Sequence, residues 1–362
     1  MNDNITPYVR YIGADDKDLD LFESQYVVPQ GISYNSYVIT DEKIAVMDTI
    51  DQRKTEEWTV RLEEALEGRT PDYLIVQHME PDHAANIGWF AEKYPEATIV
   101  ASAKAIQMMP QFFEEVNFAG RTQTVKEGDT LCLGQHTLKF IMAPMVHWPE
   151  VMLTYEESEK ILFSADAFGK FGALCHEGEW IDEARRYYFN IVGKYGAQVQ
   201  ALLKKAAGLD IAMICPLHGP VLKENLGYYI GLYDTWSKYE PETEGVVVAY
   251  ASIHGNTAAA ARRMAEILSE KGATEVMLID LCRDDMALAV ESAFRYSKMI
   301  VAASSYDAGV FPPMFDFLHH LQIKNFQKRR VGIIENGSWA PTAGRMMSCM
   351  LSEMKNMEIM EH

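Results

Sequence analysis

Two histidines and two acidic residues crowd into the short segment 77–83, directly after the apolar run 73–76. These four side chains are His78, Glu80, Asp82 and His83. Charged groups and imidazoles at this density are costly to bury unless a cation pairs with them, and both are common metal ligands. The segment therefore predicts a metal site at the end of a strand.

Three further candidate ligands each follow an apolar run later in the chain. They are His147 after the run 140–144, Asp166 after the run 161–165, and His218 after the run 211–216. Seven nitrogen and oxygen donors are too many for one ion, because an ion held by protein ligands commonly takes about four. The pattern suits two ions.

The composition excludes several classes of protein. A chain of 362 residues with 48% hydrophobic content is long enough for two domains. A net charge of −19 argues against nucleic acid as a partner. The N-terminus has no signal-peptide pattern and no window is apolar enough to span a membrane, so no membrane partner and a cytoplasmic location are expected. The five cysteines are scattered, which predicts reduced thiols that lie mostly in cores.

The organisation of the chain changes within the polar segment 236–245, and we place the domains at 1–243 and 244–362. The first domain reads as a mixed sheet with helices, including one strand over 131–142 and one helix over 183–206. In the second, strands and helices alternate strictly, which predicts a doubly wound parallel α/β sheet.

Three loops follow strands of that second domain, and ligands of such sheets bind at the carboxyl ends of the strands. The loops combine hydroxyl groups that could surround a phosphate at a helix N-terminus with aromatic rings that could stack on a planar group. Together they favour FMN. The predicted contact residues are Ser252, His254, Gly255, Asn256, Thr257, Ser304, Ser305, Tyr306, Asp307, Ala308, Gly309, Asn336, Gly337, Ser338 and Trp339.

These motifs resemble those of the flavodiiron proteins, or A-type flavoproteins, over essentially the whole chain. The strings Ala-Pro-Met-Val-His-Trp-Pro at 143–149 and Pro-Leu-His-Gly at 216–219 are also similar to that family's. The resemblance implies an αββα metallo-β-lactamase-like sandwich followed by a flavodoxin-like sheet. It also implies a proximal iron bound by His78, Glu80 and His147. A distal iron would be bound by Asp82, His83 and His218, with Asp166 bridging both.

The resemblance further implies that FMN feeds electrons to two irons, which reduce dioxygen to water, nitric oxide to nitrous oxide, or both. Hydrolytic members of the lactamase fold typically have a histidine at the position of Glu80. A carboxylate there favours iron or manganese over zinc. The implied partners are an electron donor, such as rubredoxin, a flavin reductase or reduced deazaflavin, and a second copy in a head-to-tail homodimer or a dimer of dimers.

Two residues are candidates for supporting roles around the metals. Asp48 follows the apolar run 44–47 and could accept a hydrogen bond from the ring of a ligand histidine, although a turn aspartate is an equal alternative. Tyr195 could hydrogen-bond a bound intermediate, with core packing as its alternative. His136 and His176 are interpreted as ordinary loop or surface histidines, and His319 and His320 as solvated residues of a helix in the second domain.

The end of the chain departs from the flavodoxin pattern. The segment 357–362 lies where the fifth strand is expected, so the final helix is expected to be absent. Either the sequence is a shortened form or another chain closes this domain. Two rival functions also stay open. A zinc-dependent hydrolase would lack visible absorption, and an electron carrier or sensor would hold both cofactors without consuming either gas.

Overall fold

The computed structural model describes residues 4–176 and 178–360. Within them the chain divides into two compact units. The first comprises the described residues up to Ala184 together with Gln198–Ile230, and the second comprises Arg185–Ala197 with the described residues from Gly231 onward. The domain boundary between residues 243 and 244 stays a prediction.

The first unit is built on short strands with few helices. Its strands are β1 Val9–Tyr11, β2 Ala14–Asp16, β3 Leu21–Phe22, β4 Tyr26–Val27, β5 Ile32–Tyr34, β6 Tyr37–Thr40, β7 Ile44–Met47, β8 Tyr73–Val76, β9 Thr98–Ser102, β10 Thr122–Val125, β11 Thr130–Cys132, β12 Thr137–Met142, β13 Met152–Glu156, β14 Ile161–Phe163 and β15 Met213–Cys215. The helices up to the middle of the chain are α1 Thr55–Leu66, α2 Pro81–Ala84, α3 Ile87–Lys93 and α4 Ala103–Phe112. Three later helices have residues in both units, namely α5 Trp180–Tyr187, α6 Gly196–Ala206 and α7 Leu226–Ser237.

Two mixed sheets form the centre of this unit. One has the order β1-β6-β7-β8-β9-β10 and the other the order β11-β12-β13-β14-β15. Their apolar side chains share one core, to which Met47 and Val100 contribute from the first sheet and Phe140 and Phe163 from the second. Burial of this surface is the main stabilising contribution to the sandwich, and it confirms the predicted architecture.

The strand register brings the predicted ligand loops together. Strands β7 and β8 are parallel with Met47 opposite Ile75, so the loops after them leave the sheet side by side. Strands β14 and β15 are parallel with Phe163 opposite Cys215, and the loops that follow them also leave together. Each pair of loops is therefore held by backbone hydrogen bonds close to its site.

The second unit contains a parallel sheet with the order β17-β16-β18-β20-β21, which is the flavodoxin-like order. Its strands are β16 Thr243–Ala251, β17 Val276–Asp280, β18 Tyr296–Tyr306, β19 Gly309–Val310, β20 Arg330–Asn336 and β21 Glu358–Ile359, and its helices are α8 Asn256–Glu270, α9 Met286–Arg295, α10 Pro312–Ile323 and α11 Ala343–Ser352. The doubly wound class is confirmed. The fifth strand is present at the sheet edge, and no helix follows it among the described residues.

The segment 185–197 packs within the second unit through a buried ion-pair cluster. Arg185 donates through Nε and Nη2 to the carboxylate of Glu242, at 2.7 and 2.6 Å, and through Nη1 to Glu291 at 2.8 Å. The indole of Trp236 donates to the same Glu242 at 2.7 Å. Because removing one partner of a buried ion pair leaves an unpaired charge, this cluster fixes the segment in place.

Three expectations about these elements were wrong. The strand over 131–142 is two strands, because the chain turns at Gly134 with a φ of +135°. The helix over 183–206 is interrupted by a π-helical turn, Tyr188–Val192, and a 3-10 turn, Gly193–Tyr195. Four of the five free cysteines are exposed rather than buried. None of the described helices is both long and apolar enough to cross a membrane.

Candidate metal centre and flavin pocket

The seven predicted ligands all lie just beyond strand ends of the first unit. Glu80 has an extended backbone and immediately precedes α2, whose first residue is Pro81. Proline suits this position because its φ is already helical and its missing N–H would have had no partner there. The short helix then turns Asp82 and His83 back toward the strand edge.

The first donor group consists of His78, Glu80, His147 and Asp166. Nε2 of His78 lies 3.3 Å from Glu80 Oε2 and 3.2 Å from Asp166 Oδ2. Nε2 of His147 lies 3.1 Å from each of the same two oxygens. Four donor atoms from three loops therefore converge on one point.

The second donor group consists of Asp82, His83 and His218. The Nε2 atoms of the two histidines lie 3.0 Å apart, and Asp82 Oδ2 lies 3.3 Å from that of His83 and 3.2 Å from that of His218. Asp166 reaches this group with its other oxygen, because Oδ1 lies 3.3 Å from Nε2 of His83. Asp166 thus contacts both groups.

These separations fit two metal ions. Ligand atoms bound at about 2.1 Å with angles between about 90° and 109° lie about 3.0 to 3.4 Å apart, which is the range found here. Both carboxylate oxygens of Asp82 and of Asp166 are buried without a hydrogen-bond donor. Buried carboxylate oxygens need donors or cations, so the residues present fit bound metals.

The charges of the cluster depend on one another. Burial raises the pKa of Asp82 to about 7. Burial also acts to raise the pKa of Asp166, but the neighbouring histidines, His78 first, hold it well below its usual range. Burial lowers the pKa of His147, but Asp166 and Glu80 outweigh it and raise the value to about 9. Cations bound here would replace protons on the imidazoles as partners of the carboxylates.

Aromatic rings surround the donors. The ring centroid of Trp148 lies 5.4 Å from that of His78, and those of Phe22 and Tyr34 lie 5.5 and 6.1 Å from that of His218. These rings make the surroundings of His78 and His218 apolar, which strengthens electrostatic interactions within the cluster.

A separate pocket of about 500 Å³ lies at the carboxyl ends of the second unit's strands. Thirteen predicted FMN contacts line it: Ser252, His254, Asn256, Thr257, Ser304, Ser305, Tyr306, Asp307, Ala308, Asn336, Gly337, Ser338 and Trp339. The loops contact one another, since Thr257 Oγ1 lies 3.3 Å from Ser304 Oγ and accepts a hydrogen bond from Asn336 Nδ2 at 3.3 Å. One cavity therefore unites three loops that are far apart in sequence.

Two predicted contacts, Gly255 and Gly309, do not line this pocket. Gly255 precedes α8 with a φ of +91°, and its N–H donates to Ser252 Oγ, so it shapes the turn. Gly309 belongs to β19, which pairs with β18. Three lining residues were not predicted, namely Ile253, Ala340 and Thr342.

The chain is similar to several known proteins. Residues 32–219 match a family model described as ODP family beta lactamase. The chain is 29% identical to the anaerobic nitric oxide reductase flavorubredoxin of Aliivibrio fischeri, over 94% of this chain and 70% of that protein. The structure matches the flavodiiron protein from Giardia intestinalis with a TM-score of 0.91 at 24% identity, over 100% of this chain and 92% of that one. It also matches rubredoxin oxygen:oxidoreductase from Desulfovibrio gigas with a TM-score of 0.91 at 25% identity, over 99% and 94% of the two chains.

The chain belongs to the flavodiiron protein family. The resemblance that the motifs predicted is thereby confirmed, as is the α/β fold. The role of each individual ligand and flavin contact stays a prediction.

The histidines of the two donor groups in this flavodiiron protein differ in the hydrogen-bond partners of their Nδ1 atoms. Nδ1–H of His78 donates to Glu150 Oε1 at 2.8 Å, whereas Nδ1–H of His218 donates to the main-chain carbonyl of Ser33 at 2.7 Å. Nδ1 of His83 is buried without a hydrogen-bond partner. Glu150 was not predicted, although an acid beside the apolar run 151–153 was a signal that it is buried and paired.

Of the two interpretations of Asp48, the strand-end turn aspartate is the one observed, because its side chain contacts no ligand ring. Its Oδ1 accepts the main-chain N–H groups of Gln77 and His78, at 2.7 and 3.3 Å, and its Oδ2 accepts from Gln77 Nε2 at 2.8 Å. Asp48 has a φ of +53°, a strained value that persists only where surrounding contacts hold it. It therefore positions the ligand loop through the backbone.

The other residues singled out lie apart from the donor groups or in the second unit. Tyr195 belongs to the second unit, where Lys194 Nζ lies over its ring at 5.8 Å, and its catalytic role stays a prediction. His136 is buried and paired with Asp41 at 2.7 Å, while His319 stacks on Phe315. Neither these histidines nor those at 176 and 320 belong to a donor group among the described residues.

Proposed function

We propose that this flavodiiron protein is an oxidoreductase that reduces dioxygen to water, nitric oxide to nitrous oxide, or both. The observation that carries the proposal is the position of Asp166, whose two carboxylate oxygens face different buried donor groups. Two ions that share one carboxylate suit chemistry at a paired metal centre. The names of the relatives from Aliivibrio fischeri and Desulfovibrio gigas support an oxidoreductase.

In this proposal two irons occupy the two donor groups. His78, Glu80 and His147 bind the proximal iron, and Asp82, His83 and His218 bind the distal one, with Asp166 bridging. Three carboxylates in the set give it a large share of hard oxygen ligands, which favours iron over zinc. The unpartnered oxygens of Asp82 and Asp166 support this assignment, because bound cations would satisfy them.

The pocket of the second unit would hold FMN. Ser252 and Thr257 would offer hydroxyl groups to its phosphate at the N-terminus of α8, where the helix dipole favours an anion. Tyr306 and Trp339, which line the pocket and are 45% and 84% exposed, would offer rings on which a planar flavin could stack. A pocket of about 500 Å³ lies within the usual range for a cofactor of this size.

When bound, two irons and one FMN would supply up to four electrons, which balances O₂ + 4 e⁻ + 4 H⁺ → 2 H₂O and exceeds the two needed for 2 NO + 2 e⁻ + 2 H⁺ → N₂O + H₂O. The protein's own part is to position and to protect. Asp48 holds the backbone of the loop that carries His78, and Ser33 orients the ring of His218. Trp148 and Phe22 provide apolar surroundings for His78 and His218.

An anaerobic turnover assay tests this function. Protein that contains iron and FMN should consume dioxygen or nitric oxide when a reduced donor is supplied, and the initial rates with the two gases give its preference. Asp166→Asn should abolish consumption, whereas Asp210→Asn, which removes an exposed acid of the same unit, should retain it. Zinc alone in the purified protein would favour a hydrolase. Full cofactor content without consumption of either gas would favour an electron carrier.

The electron donor belongs to the same proposal. Rubredoxin is the first candidate, because the names of both relatives refer to it. A flavin reductase and reduced deazaflavin are the alternatives. Measuring the rate of flavin reduction by each donor, before any gas is added, ranks the three without depending on the later reaction.

We also propose a head-to-tail homodimer, or a dimer of dimers, in which the flavin of one copy serves the irons of the other. Complementation tests this arrangement. A chain with a defective metal centre, Asp166→Asn, is mixed with a chain whose flavin binding is weakened by Trp339→Ala together with Thr257→Ala. Mixed dimers should regain activity, since the intact flavin then faces intact metals. Inactivity of mixed dimers whose formation is verified would contradict the arrangement.

A further inference from the structure

Glu150 is a fully buried acid outside the seven predicted ligands. Its side chain is 0% exposed, and one oxygen, Oε1, accepts two hydrogen bonds of 2.8 Å, from Nδ1–H of His78 and from the main-chain N–H of Met79. The second oxygen, Oε2, has no hydrogen-bond partner. A buried acid is costly, so its retention behind a ligand calls for a role.

The geometry places the imidazole of His78 between Glu150 and the first donor group. Nδ1 faces Glu150, while Nε2 faces Asp166 Oδ2 at 3.2 Å and Glu80 Oε2 at 3.3 Å. A proton held on Nδ1 leaves the Nε2 lone pair free for a metal. A carboxylate behind a ligand imidazole also makes that imidazole a stronger electron donor.

Glu150 hydrogen-bonds to a ring of the first donor group only. In the second group, Nδ1–H of His218 donates to the main-chain carbonyl of Ser33, and Nδ1 of His83 has no hydrogen-bond partner among the described residues. The two groups share Asp166, and each has one carboxylate of its own, Glu80 or Asp82. Glu150 is therefore an additional carboxylate in direct contact with a ring of the first group.

We propose that Glu150 is a positioning residue for His78 and that it makes the two metal positions unequal. The position formed by His78, Glu80 and His147 binds metal more tightly than the position formed by Asp82, His83 and His218. The ion at this position also has the lower reduction potential of the two. This inference rests on the proposed diiron centre, although it concerns metal affinity and potential rather than the gas that is reduced.

Glu150→Gln is the central variant, because glutamine has nearly the same shape and its carbonyl oxygen can accept both hydrogen bonds, so that chiefly the charge is removed. Cobalt(II) titration of the metal-depleted full chain, followed by competition with a chelator, measures both affinities without iron or gas. The tighter affinity should fall by about 10- to 100-fold, as is typical when an outer partner of a ligand histidine is lost. The weaker affinity should stay within about threefold, since residues without a shared contact act nearly independently.

Asp48→Asn is the matched control. Asp48 is also a buried acid behind the same loop, but it accepts from the main chain and from Gln77 rather than from a ligand ring. The carbonyl oxygen of asparagine can still accept the main-chain N–H groups of Gln77 and His78, so Asp48→Asn should keep the loop in place. If Glu150 acts through the ring of His78, Asp48→Asn should then change the tighter affinity much less than Glu150→Gln does. Equal losses in the two variants would reduce Glu150 to a structural support of the loop and overturn the proposal.

Mössbauer spectra of the iron-loaded holoprotein supply a second measurement. Glu150→Gln should alter the signal of one iron and leave the other, and redox titration should show one potential rising. Changes in both irons alike, or in neither, would contradict the proposal. If Glu150→Gln does not fold, Glu150→Asp replaces it, since the shorter side chain keeps the charge but not the contact; an unchanged tighter affinity would then refute the role. Wild-type protein that binds cobalt but reduces neither gas would count against the proposed function alone.

Discussion

Asp166 turns its Oδ1 atom toward His83, 3.3 Å from Nε2, and leaves its Oδ2 atom to the opposite donor group. The two residues are far apart in sequence, and the carboxyl ends of separate strands bring them together. One carboxylate that faces two groups of imidazoles explains how a single side chain can hold two ions at adjacent positions.

Replacing Asp166 by asparagine should therefore affect both ions. We expect the metal content to fall from about two per chain to one or fewer, because the amide brings no charge to either position and only one of its atoms can bind a metal. The loss of metal affinity should exceed the roughly 10- to 100-fold loss that is typical when a hydrogen-bond partner behind a ligand is removed. Metal analysis after dialysis measures it, with Asp210→Asn as the control. Retention of both metals by Asp166→Asn would contradict the shared role.

Trp339→Ala, in the proposed flavin pocket, should weaken FMN binding rather than metal binding. Stacking of an aromatic side chain on a planar base contributes about 1–3 kcal/mol, so FMN should bind about 10- to 100-fold more weakly. Trp339→Phe should restore most of the affinity. Phe112→Ala, which removes an exposed ring from the first unit, serves as the control. Fluorescence titration of the flavin-free protein measures the change, and equal affinity of Trp339→Ala and wild type would show that this ring does not contact the flavin.

Asp16 predicts a pH dependence of stability in the first unit. Burial acts to raise its pKa, but the hydrogen bond and charge of Arg53, together with Lys54, hold the pKa below its usual range. The carboxylate therefore contributes stability above its unfolded pKa of about 3.9, and this contribution is lost as the pH falls through the lower folded value. Asp16→Asn should lower the free energy of unfolding by about 1–3 kcal/mol at pH 7.

The difference in the free energy of unfolding between Asp16→Asn and wild type should shrink at pH values below about 4. The wild-type carboxylate becomes protonated there and, like asparagine, carries no charge. Urea unfolding in the presence of a chelator at several pH values tests this, since the metals then do not contribute. Glu67→Gln is the matched control. Glu67 pairs with Arg10 and both side chains are partly exposed, and exposed ion pairs contribute at most about 1 kcal/mol to stability. A difference that does not change with pH would contradict the assignment.

Removal of the metals should destabilise one unit selectively. A ligand present at about 100 to 1,000 times its dissociation constant stabilises the folded state by about 2.7–4.1 kcal/mol, so chelation should lower the melting temperature of the first unit by about 5–15 °C. The release of FMN, which reports the second unit, should shift much less. Calorimetry together with flavin fluorescence distinguishes the two transitions, and equal shifts of both would contradict separate sites.

The clustering of the seven donor residues could be predicted from sequence because the loops that carry them follow apolar strands, and the ends of neighbouring strands lie together. Their role as metal ligands stays a prediction. The strands between Val9 and Tyr34 could not, since elements of two or three residues show no periodicity. Glu150 lies only three residues after His147, and its role depends on a contact with His78 that sequence spacing does not reveal. The π-helical turn Tyr188–Val192 was missed because its residues also fit an ordinary helix.

The central claim is that seven side chains of the first unit bind two irons. Anomalous diffraction from crystals of the anaerobically purified protein, recorded on both sides of the iron absorption edge, tests it most directly. We predict two iron peaks, one among His78, Glu80 and His147 and the other among Asp82, His83 and His218, with Asp166 contacting both. A single peak, or peaks that appear only at the zinc edge, would contradict the account.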